Sequence, residues 1–500
     1  RTRQLAAGVL SRMPEAAWRR IRTRSSGLST RARVAIALGG RSHVEGIDRD
    51  GLRVALSVLS AKEPAGISVE LKRDAARLAG LALGDVGPKS GRAAVFDGYG
   101  ALLPAAALSE VSGAVSRVVE RVFPSPDAGL NFELARLAAM VSSASPRLLA
   151  KFLDRLEPFE SPDTEGSHPV SDLHFLITLA RIPLSRTADQ RTRTAVALVG
   201  LQAKIDRMGL NQDRNWDDRL VELYGALCAD DAGLSRAVLE AKGFGLPSHV
   251  LFLGRMSQVE RRRARALFVA AIRRAGEDYR WTGEVVRLLG GSDDPGVLGL
   301  LRAVYDRVDV RGAVVVELSR RAKLADRQRF VSGLGSSSLE VVSASLGALA
   351  KLPRSELAGE QLALLSVLRR MGVDTQEHAL RSRAVLLLRR STGKRFGFVT
   401  GRAGRVVQQS AVSAWTGHLE RSYPEESRRL LGAVAASLPL LKKRLAAVDW
   451  EVGDATRGRA VFAKLGCVQC HQGRRALGPD LAGASGRFSR TDLFTAIVFP

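Results

Sequence analysis

Cys467-Val468-Gln469-Cys470-His471 is the cluster whose residue types and spacing are equipped for covalent and metal chemistry together. Two thiols three positions apart fall on nearly the same side of one helical turn. From there each can add to a vinyl group of a porphyrin, making two thioethers, while the adjacent His471 reaches the iron as axial ligand. Such a tether holds a haem that a small domain cannot retain by burial alone. A second axial ligand, hydrogen bonding and solvent access then tune the potential. Two other chemistries also use paired cysteines. A redox dithiol expects a preceding strand and a βα fold, which the sequence does not suggest. A zinc site needs further Cys or His at ligand spacing, and the nearest other histidine is His418.

The flanks supply elements to position the motif. Asp454 can cap a helix over 455–465, and Gly466 suits its end. Gly458 and Phe462 lie four apart on one face of that helix. Ser489 and Asp492 form an S-x-x-D box that starts another helix through Ile497.

Upstream, helical periodicity recurs to about residue 440. Leu134, Leu137, Ala138 and Val141 keep the spacing of one helix face. So do Leu173, Leu176, Ile177 and Ala180, then Leu339, Val342, Leu346 and Leu349, then Leu364, Leu365 and Leu368. Pro183, Pro353 and Gly372 stop three of these runs. From Glu260 to Gly401 the units come roughly every 30 to 40 residues, the spacing of helix-pair repeats. A lone pair cannot bury its apolar stripe, so pairs must stack, as a solenoid or as a less regular helical array. The segments 82–100, 159–168 and 393–404 are rich in Gly or in Pro and acid, and are expected to be loops. The last is also basic, but it lacks the spacing of a phosphate-binding loop.

The expected fold is therefore all-α: an α-solenoid of HEAT-like helical repeats over 1–445, a linker over 446–453, and the N-terminal part of a cytochrome c domain over 454–500. Five hundred residues exceed one compact core, and 45% hydrophobic with 25% charged residues suits a folded chain. The net charge is +25, with 12 Lys among 76 basic residues, so arginine carries the excess. The arginines are dispersed over nearly every helix and no recognition motif accompanies them, so nucleic acid is not expected as a partner. No apolar stretch is long enough to span a bilayer. Three cysteines exclude a disulfide framework, and Cys228 reads as a buried small hydrophobe. The chain starts at Arg1 without a leader and reads as a fragment.

Taken together, the chain resembles the large multidomain c-type cytochromes of planctomycete bacteria, in which a HEAT-like region precedes a haem domain. The resemblance rests on LNFELARLAAMV (130–141), SDLHFLITLARI (171–182), NWDDRLVELYGAL (215–227) and LRSRAVLLLRRSTGKRFGF (380–398). Its most specific part is VFAKLGCVQCHQGRRALGPDLAGASGRFSR (461–490). It implies a truncated class I cytochrome c domain with one haem c, bound at Cys467, Cys470 and His471. It further implies that the Pro479 carbonyl accepts the proximal proton of His471, that Leu481 packs on the haem face, and that Gly458 and Phe462 let the first helix pack on the last. The distal ligand and closing helix are expected beyond Pro500. Members often begin with a dehydrogenase-like β-propeller, which this chain lacks, so organic-substrate oxidation is implied only for a longer parent.

Three functions follow as expectations. The first is electron transfer to a redox partner protein, with the solenoid positioning the haem. The second is a scaffold on which the solenoid binds proteins and the haem is accessory. The third is a piece of a dehydrogenase whose catalytic domain lies upstream. Haem attachment outside the cytoplasm implies a periplasmic or otherwise exported protein. Among other residues, His174 sits in an apolar run and reads as a satisfied helix residue. Trp216 and Asp217 read as a packing anchor with a helix cap. Arg261, Arg262, Arg263 and Arg265 read as a solvated helix start that could also dock an acidic redox partner.

Overall fold

The computed structural model describes residues 11–40, 48–61, 67–84, 95–101, 105–157, 167–212, 215–431, 445–450, 452–471, 481 and 484–498. Among these residues all regular structure is helical and no strand occurs, so the chain is all-α. It divides into two compact units, residues 1–271 and 272–500. None of the helices among the described residues is long and apolar enough to cross a membrane.

The first unit contains α1 (Glu15–Thr23), α2 (Thr30–Gly39), α3 (Arg49–Ser60), α4 (Val69–Ala82), α5 (Ala105–Val122), α6 (Ala128–Met140), α7 (Pro146–Leu153), α8 (Pro169–Leu179), α9 (Ala188–Arg207), α10 (Trp216–Ala229) and α11 (Leu234–Glu240). Helix α12 (Gln258–Ala275) runs across the division. The second unit contains α13 (Gly283–Gly290), α14 (Pro295–Ala303), α15 (Arg311–Ser319), α16 (Arg327–Gly333), α17 (Leu339–Lys351), α18 (Ala358–Arg370), α19 (Thr375–Thr392), α20 (Gln409–Ser422) and α21 (Pro424–Leu431). It ends in α22 (Ala455–Lys464), α23 (Cys467–His471), α24 (Ala484–Arg487) and α25 (Arg490–Val498).

Local chemistry sets many of these boundaries. The Asp127 carboxylate accepts from the Leu130 N–H at 2.6 Å and opens α6. Thr187 and Gln190 exchange hydrogen bonds as a capping box at the start of α9. Gly393 sits in the left-handed region (φ 71°) just past α19, a conformation that costs a β-carbon and so favours glycine. The breaks expected at Pro183, Pro353 and Gly372 fall one to three residues past the caps of α8, α17 and α18.

Helices pack on their sequence neighbours and also on the next helix but one. In the first unit α4 packs on α6 and α6 on α8; in the second, α13, α15, α17 and α19 contact one another in turn, as do α16, α18 and α20. In the second unit two rows of helices result, with Val342, Leu346, Leu349, Leu365, Val385 and Leu388 fully buried among them. Each such leucine removes enough apolar surface from water to contribute about 1.5–3 kcal/mol.

Arginine and lysine fasten these rows. A helix end leaves carbonyls with no partner in its own helix and carries a partial negative charge. Arg321 donates to Gly290 O at the end of α13, Lys351 to Ser319 O at the end of α15, and Arg370 to Leu334 O past α16. Arg390 donates to Leu349 O and Ala350 O in the last turn of α17, at 2.9 and 2.8 Å. In the first unit Lys151 reaches Glu120 O in α5 and Arg193 reaches Leu153 O at the end of α7. The cation lies 31 to 41 residues beyond the carbonyl it caps. Arg390→Ala is therefore expected to lower the unfolding free energy of the second unit by about 1–3 kcal/mol in urea titrations. Arg402→Ala, which removes an exposed cation, should leave it unchanged.

Candidate functional site

The sequence places the chemistry on α22 and α23, and the structure builds both from the residues expected. The Asp454 carboxylate accepts from the Arg457 N–H at 2.7 Å and caps α22. At the other end the Leu465 N–H donates to Val461 O and the Gly466 N–H to Ala463 O. Gly466 has φ 80°, which turns the chain sharply so that Cys467 can open α23 one residue later. α22 packs against α23.

Cys467 is the first residue of α23 and His471 the last. Four positions apart, they share one helix face. Both are half-buried, and Cys467 is a free thiol. Cys470 belongs to the same turn, but its side chain lies outside the described residues, as does all of Pro479. Leu481 is 39% exposed.

The surroundings are open. From 445 onward, no residue whose burial is described is buried. Val448, Trp450, Val452, Val461, Leu465, Phe488 and Ile497 are among the exposed large apolar side chains, with Leu465 at 69%. Phe462 is half-exposed, and a β-carbon added at Gly458 would meet nothing within 4 Å. Farther on, Ser489 Oγ accepts from the Asp492 N–H at 3.1 Å and donates to its carboxylate at 2.7 Å, opening α25. Among the described residues there is no group of three or more His, Cys, Asp or Glu suited to a metal ion.

His174 and His249 serve packing. His174 is buried, and its Nδ1 lies 2.6 Å from the Tyr99 hydroxyl. Burial pushes its pKa down to about 3, so the ring is neutral. The ring lies against the Phe132 backbone and meets the Phe132 ring edge to face at 4.6 Å. His249 is fully buried; its Nδ1 accepts from the Gly245 and Leu246 N–H groups and its Nε2 lies 3.0 Å from Val199 O. Burial brings its pKa down to about 4.

Two other expectations are corrected. Cys228 is half-buried rather than fully buried; it lies in the last turn of α10, beside Tyr224. Asn215, not Asp217, takes the cap position of α10, and Asp217 lies in its first turn. Arg261, Arg262 and Arg263 are exposed at the start of α12, and the segment 393–404 is a loop holding only a short 3₁₀ turn over Arg402–Gly404. Of the segment 159–168, expected to be loop, residues 159–166 lie outside the described residues.

Sequence reading missed the buried charges, of which Lys204 and Glu317 are examples. In the first unit Lys204 donates to Asp172, Ser167 and Glu157 O. In the second, the Glu317 carboxylate is 1% exposed and has no hydrogen-bond partner among the described residues, though Arg320 Nε lies 3.2 Å away. Burial raises the Glu317 pKa above the usual carboxylate value, with nearby arginines opposing it. A raised acid pKa in the folded state means full stability below the unfolded pKa and a loss as pH rises through the folded one. Glu317→Gln is expected to leave stability unchanged at acid pH and to raise it near neutral pH, read from thermal unfolding across that range.

No protein-family profile, curated protein or solved structure matches this chain.

Proposed function

We propose that this chain is a c-type cytochrome, an electron-transfer protein whose C-terminal segment holds one covalent haem c. Cys467 and Cys470 would provide the thioethers and His471 the proximal ligand; Pro479 and Leu481 would orient the imidazole and cover the ring. The observation that carries this reading is that Cys467 and His471 open and close one helical turn in a segment where no residue of described burial is buried and at least seven large apolar side chains are exposed. When bound, the haem iron supplies a one-electron couple. The residues of the chain fix the tether, hold the imidazole on one face and leave an edge open to a redox partner.

In this reading the two rows of helices are a HEAT-like scaffold that presents the haem segment to its partner. Support comes from the next-but-one packing and from cations that cap carbonyl ends 31 to 41 residues away, close to the repeat length of helix pairs. Because thioethers form on exported apoprotein with reduced thiols, the protein is placed outside the cytoplasmic membrane. The test is expression of the full chain with a cytochrome maturation apparatus. The expected result is a haem-stained band on a denaturing gel; its absence contradicts the reading. The packing of the helices also favours a second reading, a protein-binding scaffold with accessory haem, in which removal of residues 451–500 leaves partner binding intact.

A further inference from the structure

The loop between α19 and α20 carries a surface that neither the haem reading nor the scaffold uses. Between Glu377 and Glu420 the chain has no Asp or Glu. The arginines on α19 are spent inward: Arg383 on Ser343 O, Arg390 on the end of α17, and Arg389 on Phe398 O. Lys394, Arg395, Arg402 and Arg405 are exposed, and among the described residues no carboxylate pairs with any of them. Beside these four cations stand three valines, Val399, Val406 and Val407, exposed by 49%, 57% and 75%.

The loop's shape is fixed from within. Gln408 Oε1 accepts from the Val399 N–H at 2.7 Å, and its Nε2 donates to Val399 O and Gly404 O, which draws Val399 toward Val406 and Val407. His378 Nε2 lies 2.9 Å from Gly401 O. Phe398 is buried against His378, and Phe396 meets Trp415 edge-on at 4.7 Å. Phe398 thus turns inward and Phe396 is half-buried, so the exposed side chains between 393 and 408 are cations and aliphatic groups only.

We propose that this loop is a peripheral membrane-docking patch, in which the four cations engage the headgroups of anionic phospholipids and the three valines enter the acyl boundary. Charge and apolar insertion together form the two-part signal that holds a protein at a bilayer surface. Size decides against a protein partner: seven side chains are far fewer than the roughly 20–30 residues per side of a stable interface. The absence of an outward aromatic decides against single-stranded nucleic acid, which binds by stacking on such rings.

The test is co-sedimentation of the full chain with vesicles of 30% phosphatidylglycerol in phosphatidylcholine, and with phosphatidylcholine alone. The expected result is binding to the anionic vesicles only, weakened at least about tenfold between 50 and 500 mM salt. The variant K394Q/R395Q/R402Q/R405Q should bind about a hundredfold more weakly, and R395K/R402K/R405K should bind as the wild type. All substituted side chains are exposed, and circular dichroism checks their folding. Val407→Trp, a single change, should show a blue-shifted emission on the anionic vesicles. Three outcomes overturn the proposal: no vesicle binding, even if the chain is retained on poly-glutamate as an acidic protein would retain it; binding unchanged in the four-glutamine variant; or no emission shift at Trp in place of Val407.

Discussion

Lys204→Met is expected to destabilise the first unit by about 3–5 kcal/mol, the largest loss predicted for any single side chain. The Lys204 ammonium donates to Asp172 Oδ2 at 2.6 Å, Glu157 O at 2.7 Å and Ser167 Oγ at 2.9 Å. Its side chain is 2% exposed and that of Asp172 is fully buried. Methionine fills much the same volume but leaves a carboxylate in an apolar interior with only Ser167 as donor. Burial already raises the Asp172 pKa even against the opposing effect of Lys204. Without the ammonium it must rise further, so the folded variant binds a proton at a higher pH than the unfolded chain does. The deficit should therefore shrink as pH falls and be greatest near neutral. Lys204→Met with Asp172→Leu should recover most of the loss, because an apolar pair carries no desolvation penalty. Urea unfolding at two pH values reads all three, and a single-variant loss below about 1 kcal/mol would contradict a buried, mutually dependent pair.

That pair was illegible in the sequence for a plain reason. Asp172 and Lys204 are 32 residues apart on different helices, and each looks like an ordinary surface charge on an amphipathic stretch. The same holds for the arginines. Their even spread over the helices reads as a solvated coat, yet Arg390, Arg370 and Arg321 end on backbone carbonyls, and a carbonyl leaves no side-chain signature to search for. What was legible is local. Leu346 and Leu349 fall at the spacing that buries one face, Pro353 and Gly372 end their helices, and Asp454 and Gly466 bracket α22, because each effect acts within one turn of its cause. His174 was half legible. Its apolar neighbours predict burial, but its partner Tyr99 comes from a loop 75 residues earlier.

Replacing Cys467 and Cys470 together by alanine is expected to remove the haem-stained band entirely from the full chain produced with a maturation apparatus. On the reading advanced here, the same change should also expose the C-terminal segment to protease. From residue 445 onward no residue whose burial is described is buried, and α22 buries nothing at all. Ten residues of isolated helix are marginal in water. Order in this segment must therefore come from what covers Val461, Leu465 and Phe488, and whatever binds only the folded state stabilises it by mass action or, if tethered, at very high effective concentration. Cleavage between 452 and 498 should then be at least about tenfold faster in the double variant than in the haem-loaded wild type, while cleavage within α13 to α20 stays equal in both. Equal cleavage of the terminal segment in the two proteins would mean that its order does not depend on the attached group. A band that survives loss of both thiols would mean that the group is not held by them.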